Sequence, residues 1–176
     1  MQGDLEKYRE QFENIVNLYK GRVINMLYKL LPDKSIIEDV AQEVFIRIYK
    51  GLPYFMEKSK FTTWLYRIVH NVAISEIRKN KIIASEEISS EHPIAARNGS
   101  DPMKALTEKQ IKDKINAALD SLPENFKETL ILYYMEELSY NEIAEILDIP
   151  IGTVKTYLFR GKIMLRQILN NINKLK

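Results

Sequence analysis

The sequence predicts an all-α protein made of two small helical domains joined by a flexible linker. Three observations carry this. Apolar residues recur at three- and four-residue spacing along most of the chain, which is the helical period. Only six Gly and six Pro punctuate 176 residues, too few for the turns of a β-sandwich or barrel. Residues 82–100, IIASEEISSEHPIAARNGS, lose the periodicity and collect Ser, Glu, Pro, Asn and Gly, which reads as a linker. With 45% hydrophobic and 28% charged residues the chain is otherwise ordinary globular material.

The first domain is expected over 1–81. Phe12, Ile15, Val16 and Tyr19, then Val23, Met26, Leu27, Leu30 and Leu31, form a helical stripe that Pro32 and Asp33 break. A helix is expected from about Ser35, where Ser35 and Glu38 have the spacing of a capping box. It carries Ile37, Val40, Ala41, Val44, Phe45, Ile48 and Tyr49 and ends at Gly51 and Pro53. After a short loop over Phe55–Lys60, a third helix from Thr62 holds Trp64, Leu65, Ile68, Val69, Val72, Ala73 and Ile77.

The second domain is expected over 101–176. Asp101 and Pro102 read as a cap followed by a first-turn proline. Met103, Leu106, Ile111, Ile115, Ala118 and Leu119 mark one helix, and Phe126, Thr129, Leu130, Leu132 and Tyr133 mark another beginning near Pro123. Ser139-Tyr140-Asn141-Glu142 is a second capping box, followed by Ile143, Ala144, Ile146 and Leu147 on one face. Asp148-Ile149-Pro150 ends that short helix, and a longer basic one follows to about Leu169. Two helices joined by a tight turn, the second basic, form a helix-turn-helix pattern. In the second helix Val154, Leu158, Gly161, Leu165 and Ile168 make the inward stripe. Thr156, Phe159, Arg160 and Ile163 lie opposite, flanked by Lys155 and Lys162. Phe159 and Ile163 together suit a groove-facing surface better than a solvated one, because apolar groups can meet thymine methyls while Arg and Lys meet guanine edges or phosphates. Spacing alone would equally fit a plain helical hairpin; the cap, the turn and the basic helix favour DNA.

Composition removes many function classes. There is no Cys, which excludes disulfides, thiolate metal sites and cysteine nucleophiles, and His70 and His92 are too few for a His-rich metal site. No triad, P-loop or dinucleotide fingerprint occurs, so neither enzyme nor cofactor is expected. No uncharged apolar run reaches about 18 residues, and residues 1–20 carry Asp4, Glu6, Glu10 and Glu13. A soluble intracellular protein is expected.

The net charge of +2 conceals a segregated pattern. Residues 151–176 hold six basic residues and no acid, whereas 101–150 hold five basic and eleven acidic residues. Residues 1–81 hold fourteen against ten and residues 82–100 one against three. A basic terminus beside an acidic segment points to a polyanion at the basic end. Residues 58–81 hold six basic residues against one acid, interleaved with Phe61, Trp64 and Tyr66. That pattern suits single-stranded DNA, although Trp64 at helical spacing from Ile68 fits a core better than a stacking platform, and Lys58-Ser59-Lys60 in the loop are the better contact candidates. Glu38, Asp39, Gln42 and Glu43 form an acidic and amide row on one helix, suited to protein docking or to plain solvation.

Two ordered motif sets then resemble a known family. Asp39-Val40-Ala41-Gln42-Glu43-Val44-Phe45 and Phe61-Thr62-Thr63-Trp64-Leu65-Tyr66-Arg67-Ile68, with Asn71 and Arg78, look like region two of a bacterial RNA polymerase sigma factor. Leu122-Pro123-Glu124, Ser139-Tyr140-Asn141-Glu142-Ile143-Ala144 and Gly152-Thr153-Val154-Lys155-Thr156 look like its region four. The short linker resembles the extracytoplasmic-function (ECF) group. Where many members carry Asp and Arg, this chain has Ser75 and Tyr157.

The resemblance implies a promoter-specificity subunit with no catalysis of its own. It implies core polymerase docking through Asp39, Gln42, Glu43 and Phe45. Capture of the melted minus-ten strand would fall to Lys58, Ser59, Lys60, Phe61, Asn71, Arg78 and Lys79. Duplex reading at minus thirty-five would fall to Thr153, Lys155, Thr156, Phe159, Arg160 and Lys162. The implied partners are core RNA polymerase, promoter DNA and an anti-sigma protein, with signal-responsive control. The implied location is the cytoplasm, where an anti-sigma protein could hold the chain at the membrane. A two-domain helix-turn-helix regulator acting without polymerase is the runner-up, its first domain serving dimerisation or ligand binding. A pure adaptor would leave the basic terminus unexplained.

Overall fold

Both apolar runs at the start of the chain lie on one helix, α1 (Gln2–Leu30), because no proline stands between Tyr19 and Val23 and the single Gly21 is tolerated within the helix. The computed structural model describes the backbone of residues 2–56, 59–86 and 103–174, and side chains within 8–56, 59–80 and 111–172. The far half of α1 buries Val23, Met26, Leu27 and Leu30, while Phe12, Ile15 and Tyr19 remain half-buried. Burial follows the neighbours, since α2 (Ile37–Gly51) and α3 (Phe61–Glu86) both pack on α1.

The expected Ser35–Glu38 capping box does not form. Ser35 donates its backbone N–H (2.8 Å) and its hydroxyl (2.7 Å) to Asp33 Oδ1, a local turn that consumes the hydroxyl. The helix starts at Ile37 with Ile36 in the capping position and no side-chain cap. Glu38 and Asp39 in the first turn still favour the helix through its dipole.

A single 3-10 turn at Leu52–Tyr54 follows α2 and leads the chain to α3. Phe55, Phe61 and Trp64 close this corner as an aromatic cluster, with ring centroids 5.1–5.7 Å apart. Trp64 is therefore packing material. A Cβ added to Gly51 would lie 2.8 Å from the Trp64 ring, so glycine is what lets α2 and the indole approach. Helix α3 continues to Glu86, five residues beyond the expected end of the first domain, while residues 87–100 lie outside the described residues.

The second half contains α4 (Met103–Asp120), α5 (Glu124–Tyr134), α6 (Tyr140–Leu147) and α7 (Ile151–Lys174). The Asp101-Pro102 start lies outside the described residues. Helix α5 buries Glu128, Thr129, Leu130, Ile131 and Leu132 in succession. Such all-round burial belongs to a central helix, and α5 packs on α6, α7 and α1. At Gly161 the backbone of α7 comes so close to α5 that an added Cβ would meet Phe126 Cβ and Leu130 Cδ1 at 3.2 Å. Ile111 and Ile115, which the periodicity places inward, stay 53% and 36% exposed beside a groove lined also by Tyr28 and Met135.

The halves are in contact, α3 against α6 and α1 against α5, and their buried residues form one continuous cluster. Each fully buried Leu, Ile or Val contributes roughly 1.5–3 kcal/mol of transfer free energy.

Gly51→Ala is expected to destabilise the protein by about 1–3 kcal/mol, because the methyl must displace the Trp64 ring. Thermal denaturation should show a smaller loss on adding Gly51→Ala to Trp64→Phe, whose ring leaves room for the methyl. Equal losses in both backgrounds would place the strain elsewhere.

Candidate nucleic-acid and docking surfaces

The helix-turn-helix begins at Ser139. Its hydroxyl accepts from the Glu142 N–H (3.3 Å), and its own N–H donates to Glu142 Oε2 (2.8 Å), completing the capping box. Caps of this kind contribute roughly 0.5–2 kcal/mol. Helix α6 stops where Asp148 adopts a left-handed backbone (φ 52°), a conformation that Asp tolerates better than most residues. The Asp148 and Ile149 N–H groups both close back on the Ala144 carbonyl. Pro150 then accepts from Thr153 (2.8 Å) and Val154 (3.2 Å), which starts α7.

That turn fixes the rotation of α7. Val154, Leu158 and Gly161 are buried, and Leu165 and Ile168 half-buried, against the rest of the module. Lys155, Thr156, Phe159, Arg160, Lys162 and Ile163 are exposed, and Thr153 is half-buried at the start of the helix. Phe159 is 68% exposed and Ile163 42%, an unusual amount of open apolar surface beside three basic residues. Thr156 spends its proton on the Gly152 carbonyl (2.9 Å) and turns a methyl and lone pairs outward. Tyr157 packs edge-on against Phe126 of α5 with centroids 5.4 Å apart.

In the first module, Lys60 just before α3 and Asn71 and Arg78 on it are exposed at offsets of 11 and 7 residues, close to whole turns along one row. Lys79 is exposed beside Glu76 (3.8 Å). Ser59 and Phe61 are half-buried, and Phe61 belongs to the aromatic cluster with Tyr19, Phe55 and Trp64. Lys58 lies outside the described residues.

Asp39 and Gln42 stand exposed on α2, and Glu43 takes an ion pair from Arg47 at 2.7 Å. Phe45 is half-buried in a groove of about 610 Å³ between α1 and α2, together with Phe12, Val16, Lys20, Gln42 and Tyr49. The sequence reading found the α2 wall of this groove and missed the α1 wall. The available signal was the apolar stripe of Phe12, Ile15, Val16 and Tyr19, which spacing alone assigns to the core.

The contacts between the halves were also missed. His70 of α3 pairs with Glu128 of α5, and the Tyr66 hydroxyl donates to Glu136 just beyond α5. Lys60 pairs with Glu142 Oε1 at 3.0 Å. Burial and the bond to Glu136 raise the ionisation of Tyr66 far above the usual phenol range. The Ser139 hydroxyl and N–H, with help from Lys60, hold the Glu142 carboxyl down at about 2. Among the described residues no cluster of His, Asp and Glu could hold a metal ion, and no helix is long and apolar enough to cross a membrane.

The family models for Sigma-70 region 2 and Sigma-70 region 4 match residues 15–82 and 112–165, one in each module. The ECF RNA polymerase sigma factor SigW of Bacillus subtilis is 36% identical over 172 residues, covering 93% of this chain and 91% of the relative. The chain belongs to the ECF group of RNA polymerase sigma factors. The ECF sigma-E factor of Escherichia coli K12 is 31% identical over 161 residues, covering 88% of this chain and 84% of that one. In fold, the sigma factor matches RpoE of Bartonella quintana, solved in complex with the anti-sigma factor NepR. The TM-score is 0.72 at 22% identity, over 92% of this chain and 98% of that one. A sigma factor is a transcription initiation factor that gives RNA polymerase its promoter recognition, and each of its two regions here occupies one helical module.

The depressed Glu142 ionisation has a pH signature. Its folded-state value of about 2 lies below the ordinary 4.5, so the ionised carboxylate adds stability in full above pH 4.5. That contribution disappears as the pH falls through 2. The stability difference between the natural protein and Glu142→Gln should therefore shrink between pH 4.5 and 2 in paired thermal melts. A difference independent of pH would show that the charge on Glu142 does not matter.

Proposed function

We propose that this sigma factor reads the minus-thirty-five duplex with the exposed face of α7, captures the melted minus-ten strand along α3, and docks on core polymerase through α2. The observation that carries the reading is the division of α7. Val154, Leu158 and Gly161 are buried, while Phe159, Arg160, Lys155, Lys162 and Ile163 are left open on the other side. A solvated helix gains nothing from an exposed Phe and Ile. In a major groove they contact thymine methyls, with Arg160 aimed at base edges and Lys155 and Lys162 at phosphates or the groove edge. Thr153 and Thr156 add short contacts at the N-terminal end of the helix, the end that enters the groove in this motif.

Arg78 and Lys79 on α3, with Lys58 and Lys60 before the helix, supply cations for a single-stranded backbone, and Asn71 and Ser59 supply hydrogen bonds. Phe61, half-buried in the aromatic cluster, supports this row. On α2, Asp39, Gln42 and Glu43 form a polar rim beside the apolar groove that holds Phe45. An apolar seat with a charged rim is how one helix of a partner is received. The protein performs no chemistry itself and works in the cytoplasm. The relatives solved with anti-sigma factors, RpoE with NepR and CnrH with the cytosolic domain of CnrY, support control of this chain by an anti-sigma protein.

Arg160→Ala should lower binding of the full chain with core polymerase to its promoter and relax base preference at one minus-thirty-five position, at roughly 1–3 kcal/mol of discrimination. Lys162→Ala should weaken all promoter variants alike and reduce the salt slope by roughly one. Competition among single-base promoter variants separates the two effects. An unchanged ranking with Arg160→Ala would remove that residue from base reading.

Reversing Asp39 and Glu43 to Lys should abolish capture of core polymerase. Apart from the lost Arg47 pair, these exposed positions should cost the fold about 0.5 kcal/mol or less each. Undiminished polymerase affinity in the folded variant would overturn the α2 assignment.

A further inference from the structure

We infer that Tyr54 is a stacking platform for one unpaired base of the melted strand, set beside the cations at the start of α3. The inference rests on the strand-capture reading above. It adds to that reading a contact of a different kind, aromatic where the others are ionic or hydrogen-bonding.

Among the described residues the two most exposed large hydrophobic side chains are Tyr54, at 80%, and Met56, at 71%. They lie two residues apart, with the half-buried Phe55 between them. Phe55 follows the 3-10 turn with an extended backbone (φ −71°, ψ 107°), in which successive side chains point to opposite sides. Its ring packs on Phe61 and Trp64 at 5.7 and 5.1 Å, and its N–H is held by the Leu52 carbonyl at 3.2 Å. Anchoring Phe55 inward therefore holds its two neighbours outward. Scattered apolar side chains on a surface are ordinary. Two this open in three residues, fixed by a packed ring between them, form a presented surface.

An unpaired strand asks for cations along its backbone and a π-face for its bases. The cations are at the surface, since Lys60, Arg78 and Lys79 are exposed. The rings of the same stretch are committed elsewhere. Phe61 and Trp64 pack on each other, on Phe55 and on Tyr19, and Tyr66 is 1% exposed with its hydroxyl on Glu136. Tyr54 pairs with no other ring among the described residues, so its ring is left open. It is the neighbour of Phe55, and Lys60 is the neighbour of Phe61. Platform and first cation thus flank the same ring contact. A phenol suits the task, because it is flat, has only two side-chain torsions to restrict, and carries a hydroxyl that tolerates water. The apolar groove assigned to polymerase lies between α1 and α2, and Tyr54 does not line it. That favours DNA over the polymerase as the partner of this ring.

The test uses the full chain assembled with core polymerase and oligonucleotides of the non-template strand, intact or with one base of the minus-ten element replaced by an abasic site. Tyr54→Ala should weaken binding of the intact strand about 5- to 150-fold, the range for loss of one base–aromatic stack, with the salt dependence unchanged. Tyr54→Phe keeps the ring and should bind like the natural protein. Circular dichroism of both variants should match the natural protein, because so exposed a side chain carries little of the fold. One abasic position should cost the natural chain a factor similar to that of Tyr54→Ala, yet cost the Tyr54→Ala protein nothing further. That non-additivity marks the stacked base. Arg78→Ala tests strand capture separately, and should weaken every strand alike and lower the salt slope by roughly 0.7. If Arg78→Ala behaves so while Tyr54→Ala binds undiminished, the platform is overturned and strand capture stands. If neither variant loses affinity, strand capture fails and the platform with it. A loss from Tyr54→Ala that adds to that of every abasic position would also overturn stacking, and would place the ring on the DNA backbone or on polymerase.

Discussion

One carboxylate, that of Glu142, ties the reading helix to the rest of the molecule. Its Oε2 closes the cap that starts α6, and its Oε1 reaches Lys60 on the other module. The cap sets where α6 begins, and eight residues later the left-handed Asp148 sets the angle at which α7 departs. The rotation of α7, and hence which of its side chains face outward, follows from those two positions. The same residue therefore helps to orient α7 and joins the two modules.

The segregated charge has a structural counterpart. The acidic 101–150 segment places Glu128, Glu136 and Glu142 against α3 or just before it, while Lys155, Arg160, Lys162 and Arg166 stand exposed on α7. Opposite charges are thus segregated within one small domain, acidic toward the other module and basic on the exposed side of α7. Helix α5 makes this possible. It is buried on nearly every side, carries Glu128 inward to His70, and gives α7 the close seat marked by Gly161.

Much of this was legible in the sequence because it is local. The all-α class, the two modules, the Ser139–Glu142 cap and the inward stripe of α7 all follow from three- and four-residue spacing. What escaped was non-local or competitive. Ser35 had two acidic neighbours to choose between, and the nearer, Asp33, took its hydroxyl. Ile111 and Ile115 follow the helical period, yet among the described residues they stay 53% and 36% exposed. The contacts between the modules join residues 58 to 82 positions apart, a separation that periodicity cannot report. The candidate contacts on α7 and α2 were readable because exposure there is the complement of a regular buried stripe. The groove wall from α1 was not, because it needs the crossing of two helices.

The central claim is that both modules serve one act, promoter selection by RNA polymerase. Run-off transcription in vitro tests it most directly, with core polymerase, a promoter template and this chain added or omitted. A transcript that starts at the promoter only when the chain is present, and disappears when the minus-thirty-five element is scrambled, is the predicted result. No chain-dependent transcript, together with duplex binding that is equally tight with and without core polymerase, would contradict the account and leave a helix-turn-helix protein that acts alone.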